Sequence, residues 1–223
     1  MKGRFMLFMI FITVVTSCKS WKNAEKGGAI GAGAGAGIGA VIGKQSGNTI
    51  VGAIIGAAVG GTSGALIGNY MDKQVAEMKR DLEGAQVERV GEGIKITFDS
   101  GLLFAVNSSS LNQASQTNLL KLSEVLNKYD DTEILIEGHT DNTGADDYNK
   151  SLSVKRADEV GTFLKQGNVS GSRISTKGYG ESQPLMDNAS EAGRNQNRRV
   201  DVAIFANKKL KKAAEKGTLG TIK

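Results

Sequence analysis

The chain has 223 residues, a formal net charge of +5, 30 glycines, one proline, one cysteine and one histidine. The lone cysteine, Cys18, excludes an intramolecular disulfide, and the lone histidine has no neighbouring ligands at the spacing of a common metal centre. Six lysines against one glutamate in residues 207–223 account for the whole net charge, so the rest of the chain is neutral and lacks the broad basic face that nucleic acid demands.

At the front, Lys2 and Arg4 precede an uncharged, mostly apolar run from Phe5 to Val15, the pattern of a secretory signal and too short for an ordinary membrane span. The run ends at Val15-Thr16-Ser17-Cys18, which resembles the bacterial lipobox. That resemblance implies that residues 1–17 are removed, that Cys18 carries a diacylglycerol, and that residues 18–26 form a lipidated tether. Lys19 stands where an aspartate would imply retention in the inner membrane, so the implied location is the periplasmic face of the outer membrane.

From residue 27 to 68 the glycines keep a period of four, as Gly27, Gly31, Gly35, Gly39 and Gly43, then Gly52, Gly56, Gly60, Gly64 and Gly68. On a helix that period forms a smooth stripe where another backbone can approach closely. Residues 44–49 between the two series have turn chemistry, so the spacing predicts a helical hairpin that inserts in a membrane or self-associates. The alternative on the same residues is a flexible Gly/Ala spacer. A phosphate loop is excluded, because no strand precedes the run and no Gly-Lys-Ser/Thr follows it. Met71, Val75, Met78 and Leu82 then recur at helical spacing, giving a linker helix over 69–89.

The remainder alternates strands and helices. Ile94, Ile96 and Phe98 alternate as a strand; Asn112 to Tyr129 is a helix with Leu119, Leu122, Val125 and Leu126 on one face; Ile134 to Ile136 is a buried strand. A helix over about 145–165 follows, with Leu152, Val160, Phe163 and Leu164 toward the core, then strands near 173–179 and 199–205. The order βαβαββ over 90–206 predicts a two-layer α/β sandwich with its helices on one face of a mixed sheet, followed by a solvated basic tail, 207–223.

Thr140 and Asp141 end the buried strand, and Asn149, Ser153 and Arg156 lie at i, i+4 and i+7 on one face of the next helix. Asp141 and Arg156 can therefore converge, with a carboxylate for an ammonium and a guanidinium fork for a carboxylate, which together suit an amino-acid zwitterion. The same pair read on its own is equally a structural salt bridge. His139 is expected to be structural, hydrogen-bonded near the strand end, and the bland alternative for Arg198 and Arg199 is that they cover the sheet edge.

The stretch from Ile136 to Gly144 (IEGHTDNTG), then Asn149, Leu152, Ser153, Arg156 and Val160, then Lys177 to Glu181 (KGYGE), Pro184 and Asn197 to Val200 (NRRV), resembles the peptidoglycan-binding OmpA-like domain. The resemblance runs from about Gly91 to Ala206. It implies that the partner is peptidoglycan, held by the free amino-acid end of meso-diaminopimelate in the stem peptide. It makes Asp141 and Arg156 the principal pair, with Thr140, Asn149, Leu152 and Arg199 around them. The loop Leu103 to Ser110 departs from the family's Phe-Asp-type segment, and Asn107 is the substitute contact there. The implied function is an outer-membrane lipoprotein that tethers that membrane to the wall. A glycine-zipper oligomer or pore, for which wall binding only positions the protein, is the alternative. No catalytic residue, metal or cofactor is expected.

Overall fold

The computed structural model describes residues 49–105 and 108–219. The lipobox with Cys18, the first glycine arm and Asn107 lie outside the described residues. In chain order the elements are α1 (Thr49–Ala57), α2 (Gly61–Asp81), β1 (Gln86–Val90), β2 (Gly93–Asp99), a single turn α3 (Ser100–Leu103), α4 (Gln113–Lys128), β3 (Thr132–His139), α5 (Asp146–Gln166), β4 (Ile174–Gly178), α6 (Glu191–Asn197), β5 (Arg199–Ala206) and α7 (Lys208–Glu215).

The five strands form one sheet in the order β1-β2-β5-β3-β4. Only β3 and β4 run parallel, as the crossover through α5 between them requires; the other pairs are antiparallel. Period-two alternation sends Ile94, Ile96, Phe98, Ile134, Ile136, Val200, Val202 and Ile204 to one face, where they pack with α2, α4, α5 and α7. The helices are apolar on that side for the reason visible in the sequence: Leu119, Leu122, Val125 and Leu126 of α4, and Met71, Val75 and Met78 of α2, are all buried. Asn112 starts α4 by accepting from the Ser115 N–H at 2.9 Å.

The structure departs from the expected layout in four places. Residues 86–90 are an edge strand rather than the end of a linker helix, because Val87 packs into the core while Arg89 pairs with Asp72 of α2 at 2.8 Å. The second glycine arm is not one helix: it breaks at residues 58–60, and α2 runs unbroken from Gly61 across the boundary at 68/69. At the break Gly60 and Gly61 both have left-handed φ, 71° and 62°, which side chains resist, and Glu92 accepts from the Val59 and Gly60 N–H groups at 2.8 and 2.7 Å. The helices do not all share a face: Ile50 and Ile54 of α1 pack on Leu135 and Ala203 on the other side of the sheet. Finally, the front of the basic tail is helix α7, with Leu210 and Ala214 buried.

The described half of the glycine stripe thus serves its own domain. A side chain at Gly64 would strike the Glu92 carboxylate at 2.2 Å, and one at Gly68 would meet Arg89 at 3.1 Å. Among the described residues no helix is long and apolar enough to cross a membrane.

Candidate functional site

Beyond the end of β3 the chain turns through Thr140 to Gly144 into α5, and the helix must lie close to the strand for both to share a site. Gly138 allows this, since a Cβ there would sit 2.1 Å from the Ser153 carbonyl oxygen. The loop is tied to the β4 end by the Thr140 N–H, which donates to the Gly180 carbonyl at 2.9 Å. Ser153 adds a second tie by accepting from the Gly180 N–H at 2.8 Å. One turn up, Asn149 donates through Nδ2 to the carbonyls of Asp141 and Thr143 at 3.3 and 3.2 Å and to the Glu181 carboxylate at 2.7 Å.

These elements, with α6 and the α3 loop, enclose a cleft of about 630 Å³ whose lining includes Thr140, Asp141, Asn149, Leu152, Arg156 and Arg198. Phe104, Tyr148, Glu191 and Arg194 complete much of its rim. Asp141 is 5% exposed. Its Oδ1 accepts from the Thr143 N–H at 2.8 Å, and its Oδ2 accepts from the Arg198 guanidinium. Burial pushes that carboxyl's pKa up, but the Thr143 and Arg198 hydrogen bonds outweigh it and hold the group below the usual carboxylate range.

Arg156 is also 5% exposed. Its Nε donates to the Ser108 carbonyl at 3.1 Å, and its guanidinium lies 5.2 Å from the centre of the Phe104 ring. Neither terminal nitrogen has a hydrogen bond among the described residues. Burial lowers the Arg156 pKa, and the nearby Arg198 charge adds to that effect. The Thr140 hydroxyl is likewise buried and without a partner among the described residues.

Asp141, Arg156, Thr140, Asn149 and Leu152 are therefore brought together, with Leu152 half-buried in the cleft wall rather than in the core. Arg199 is not with them. Val200, Val202 and Ile204 face the core, so Arg199 and Asp201 point to the opposite side, where Arg199 Nε donates to Asp201 at 2.9 Å and the side chain is 3% exposed. Of the two adjacent arginines it is Arg198, at the end of α6, that lines the cleft, and it also donates to Glu191 at 2.8 Å. The strand parity of the NRRV segment was the signal that could have chosen between them.

His139 is buried as expected but lacks the expected hydrogen bond: neither ring nitrogen has a hydrogen-bond partner among the described residues, and Nε2 lies 3.8 Å from the Asp201 carboxylate and 4.0 Å from that of Glu137. The ring stacks on Tyr179 at 5.6 Å, and burial pushes its pKa down to about 3. No group of three or more metal-ligating side chains occurs among the described residues.

Comparison with known proteins bears on the family and the fold. A model of the OmpA family matches residues 103–198, and a YMGG-like Gly-zipper model matches residues 1–72. The chain is 38% identical over 140 residues to the probable lipoprotein YiaD of Escherichia coli, covering 62% of this chain and 64% of that protein. It is 35% identical over 131 residues to the outer-membrane lipoprotein YfiB of Pseudomonas aeruginosa, covering 59% of this chain and 78% of that one. It thus spans just under two thirds of the first relative and over three quarters of the second. The structure of the cell wall anchor of the T6SS from Pseudomonas aeruginosa superposes with a TM-score of 0.54 at 30% identity, over 61% of this chain and 97% of that one. The chain belongs to the OmpA family.

Proposed function

We propose that the cleft grips the free amino-acid end of meso-diaminopimelate in the peptidoglycan stem peptide, and that the lipidated chain thereby tethers the outer membrane to the wall. The observation that carries this reading is the meeting in one cleft of an ionised acid, Asp141, and a guanidinium, Arg156, whose two terminal nitrogens have no hydrogen bond among the described residues. Asp141 receives the ligand's ammonium, sharing or replacing Arg198. Arg156 takes the ligand's carboxylate in a two-pronged bond, which restores to a desolvated cation the anion it lacks. The unpartnered Thr140 hydroxyl supplies a further contact, Leu152 covers the ligand's methylene chain, and Asn149 positions the loop rather than touching the wall. Cys18 supplies the lipid. Self-association belongs to the arm containing Gly27 to Gly43, since Gly64 and Gly68 of the second arm lie against Glu92 and Arg89 of their own domain.

Sedimentation of the full chain with purified insoluble peptidoglycan tests the reading. Wild type is expected in the pellet, and Asp141→Ala and Arg156→Ala, matched for circular dichroism, in the supernatant. Variants that pellet as well as wild type would refute the assignment.

A further inference from the structure

Helix α7 has a charge arrangement that the cleft does not use. Leu210 and Ala214 bury one side of it against the domain, which turns its lysines outward: Lys208, Lys209 and Lys212 are exposed, as is Lys216 just past its end. Lys208, Lys212 and Lys216 follow one another at steps of four, so three like charges share a stripe, and each such pair is destabilising on a helix. Lys208 and Lys209 also stand in the first turn, where the helix dipole disfavours cations. Lys209 is neutralised by Asp131 at 3.0 Å. Lys208, Lys211, Lys212 and Lys216 have no ion partner among the described residues, although the chain without residues 207–223 is neutral.

The position of this stripe is as informative as its sign. Strand β3 runs from Thr132 to His139 and delivers Asp141 to the cleft, while β5 runs the other way, with Arg199 opposite His139 and Ala206 opposite Thr132. Helix α7 follows Ala206, and its cap Asn207 donates its N–H to the Asp131 carbonyl at 3.1 Å. The lysines therefore start at the pole of the sheet opposite the cleft, about 25 Å away for eight residues of strand. Exposed acids at this pole include Asp130, Glu133 and Glu215.

We infer that α7 is a docking face for anionic phospholipid headgroups, which seats the domain with its lysine pole on the membrane and its cleft turned toward the wall. The envelope location rests on the reading above; the surface itself does not depend on which residues hold the wall. Each lysine near such a surface adds attraction that fades within a Debye length.

The test is lysine acetylation of the full chain reconstituted in vesicles, read by mass spectrometry at each lysine, with Lys155 as the internal reference. The vesicles are phosphatidylcholine alone or phosphatidylcholine with about 30% phosphatidylglycerol. Because anchor and zipper are present in both, only headgroup charge differs. Acetylation of Lys208, Lys212 and Lys216 is expected to slow about threefold or more in the anionic vesicles, to recover in about 0.5 M salt, and to leave Lys155 unchanged. Equal rates in both vesicles would overturn the inference, as would protection by soluble wall fragments in neutral vesicles, which would make the wall the partner. The triple variant Lys208→Gln/Lys212→Gln/Lys216→Gln is expected to lose the headgroup dependence while still pelleting with peptidoglycan, so failure of the docking face and failure of the cleft assignment give different results.

Discussion

The Arg198 guanidinium donates to one oxygen of the Asp141 carboxylate, while the other oxygen accepts from the Thr143 N–H. The acid assigned to the ligand's ammonium is thus kept ionised before any ligand arrives. Its pKa is depressed, so the carboxylate persists as pH falls through the ordinary carboxylate range and is lost only below it. Wall binding should therefore stay flat from neutral pH down through the ordinary carboxylate range and fail only below it. In Arg198→Gln the acid limb should move to higher pH, measured by sedimentation across the pH series. Identical limbs in the two proteins would show that Arg198 does not set the charge of Asp141.

His139 makes the opposite kind of contribution. It is neutral when folded, with a pKa near 3, and has an ordinary pKa near 6.5 when unfolded. The unfolded chain therefore binds the extra proton between those values. The resulting loss of stability is absent above about pH 6.5 and grows as pH falls toward about 3, by up to about 1.4 kcal/mol per pH unit. Glu137, raised by burial and by Asp201 although Thr49 donates to it at 2.6 Å, works against this, because its penalty is relieved as it protonates. Since neither imidazole nitrogen is hydrogen-bonded among the described residues, His139→Phe should cost less than about 1.5 kcal/mol at neutral pH and keep the stack on Tyr179. Its melting temperature at pH 5 should exceed that of wild type. A wild-type-like acid profile in the variant would place the sensitivity elsewhere.

Gly138 has no room for a methyl group. In Gly138→Ala the new Cβ meets the Ser153 backbone rather than a movable side chain, so α5 must shift or the fold must weaken. A loss of about 1–3 kcal/mol in denaturant unfolding is expected, together with weakened wall binding, because α5 carries Asn149 and Arg156. Unchanged stability would mean that the helix does not lie as close to β3 as the structure has it.

Helix α1 gives a test of where the second glycine arm belongs. Ile54 is fully buried against the sheet, and Ile54→Ala should lower the stability of the domain by about 2–4 kcal/mol. If that arm resided in lipid instead, the substitution would leave the domain's unfolding midpoint where it was.

The inner face of the sheet and its helices were legible because their signals are local: Ile94, Ile96 and Phe98 alternate, and Leu119, Leu122, Val125 and Leu126 repeat at the helical period. Asp141 and Arg156 were legible because a strand end and one helix face bring them together across a short loop. The position of α1 was not, because the surface it covers is assembled from Leu135 and Ala203, which are far apart in sequence and become neighbours only when β3 and β5 pair. Arg198 was passed over for Arg199 although the alternation of Val200, Val202 and Ile204 already assigns Arg199 to the opposite face. The Arg156–Ser108 contact was beyond reach for another reason: it runs through a backbone carbonyl, which no side-chain pattern announces.

The most direct test of the central claim is titration calorimetry of the full chain with two stem peptides that differ only at the diamino acid, one ending its side chain in the amino-acid group of meso-diaminopimelate and the other in the bare amine of lysine. Removing that carboxylate leaves Arg156 buried without its anion, so the lysine peptide should bind at least about tenfold more weakly, and Arg156→Ala should bring the two peptides to about the same affinity. Equal affinities for the two peptides in the wild-type protein would contradict the account, because Arg156 would then not be reading the ligand's carboxylate.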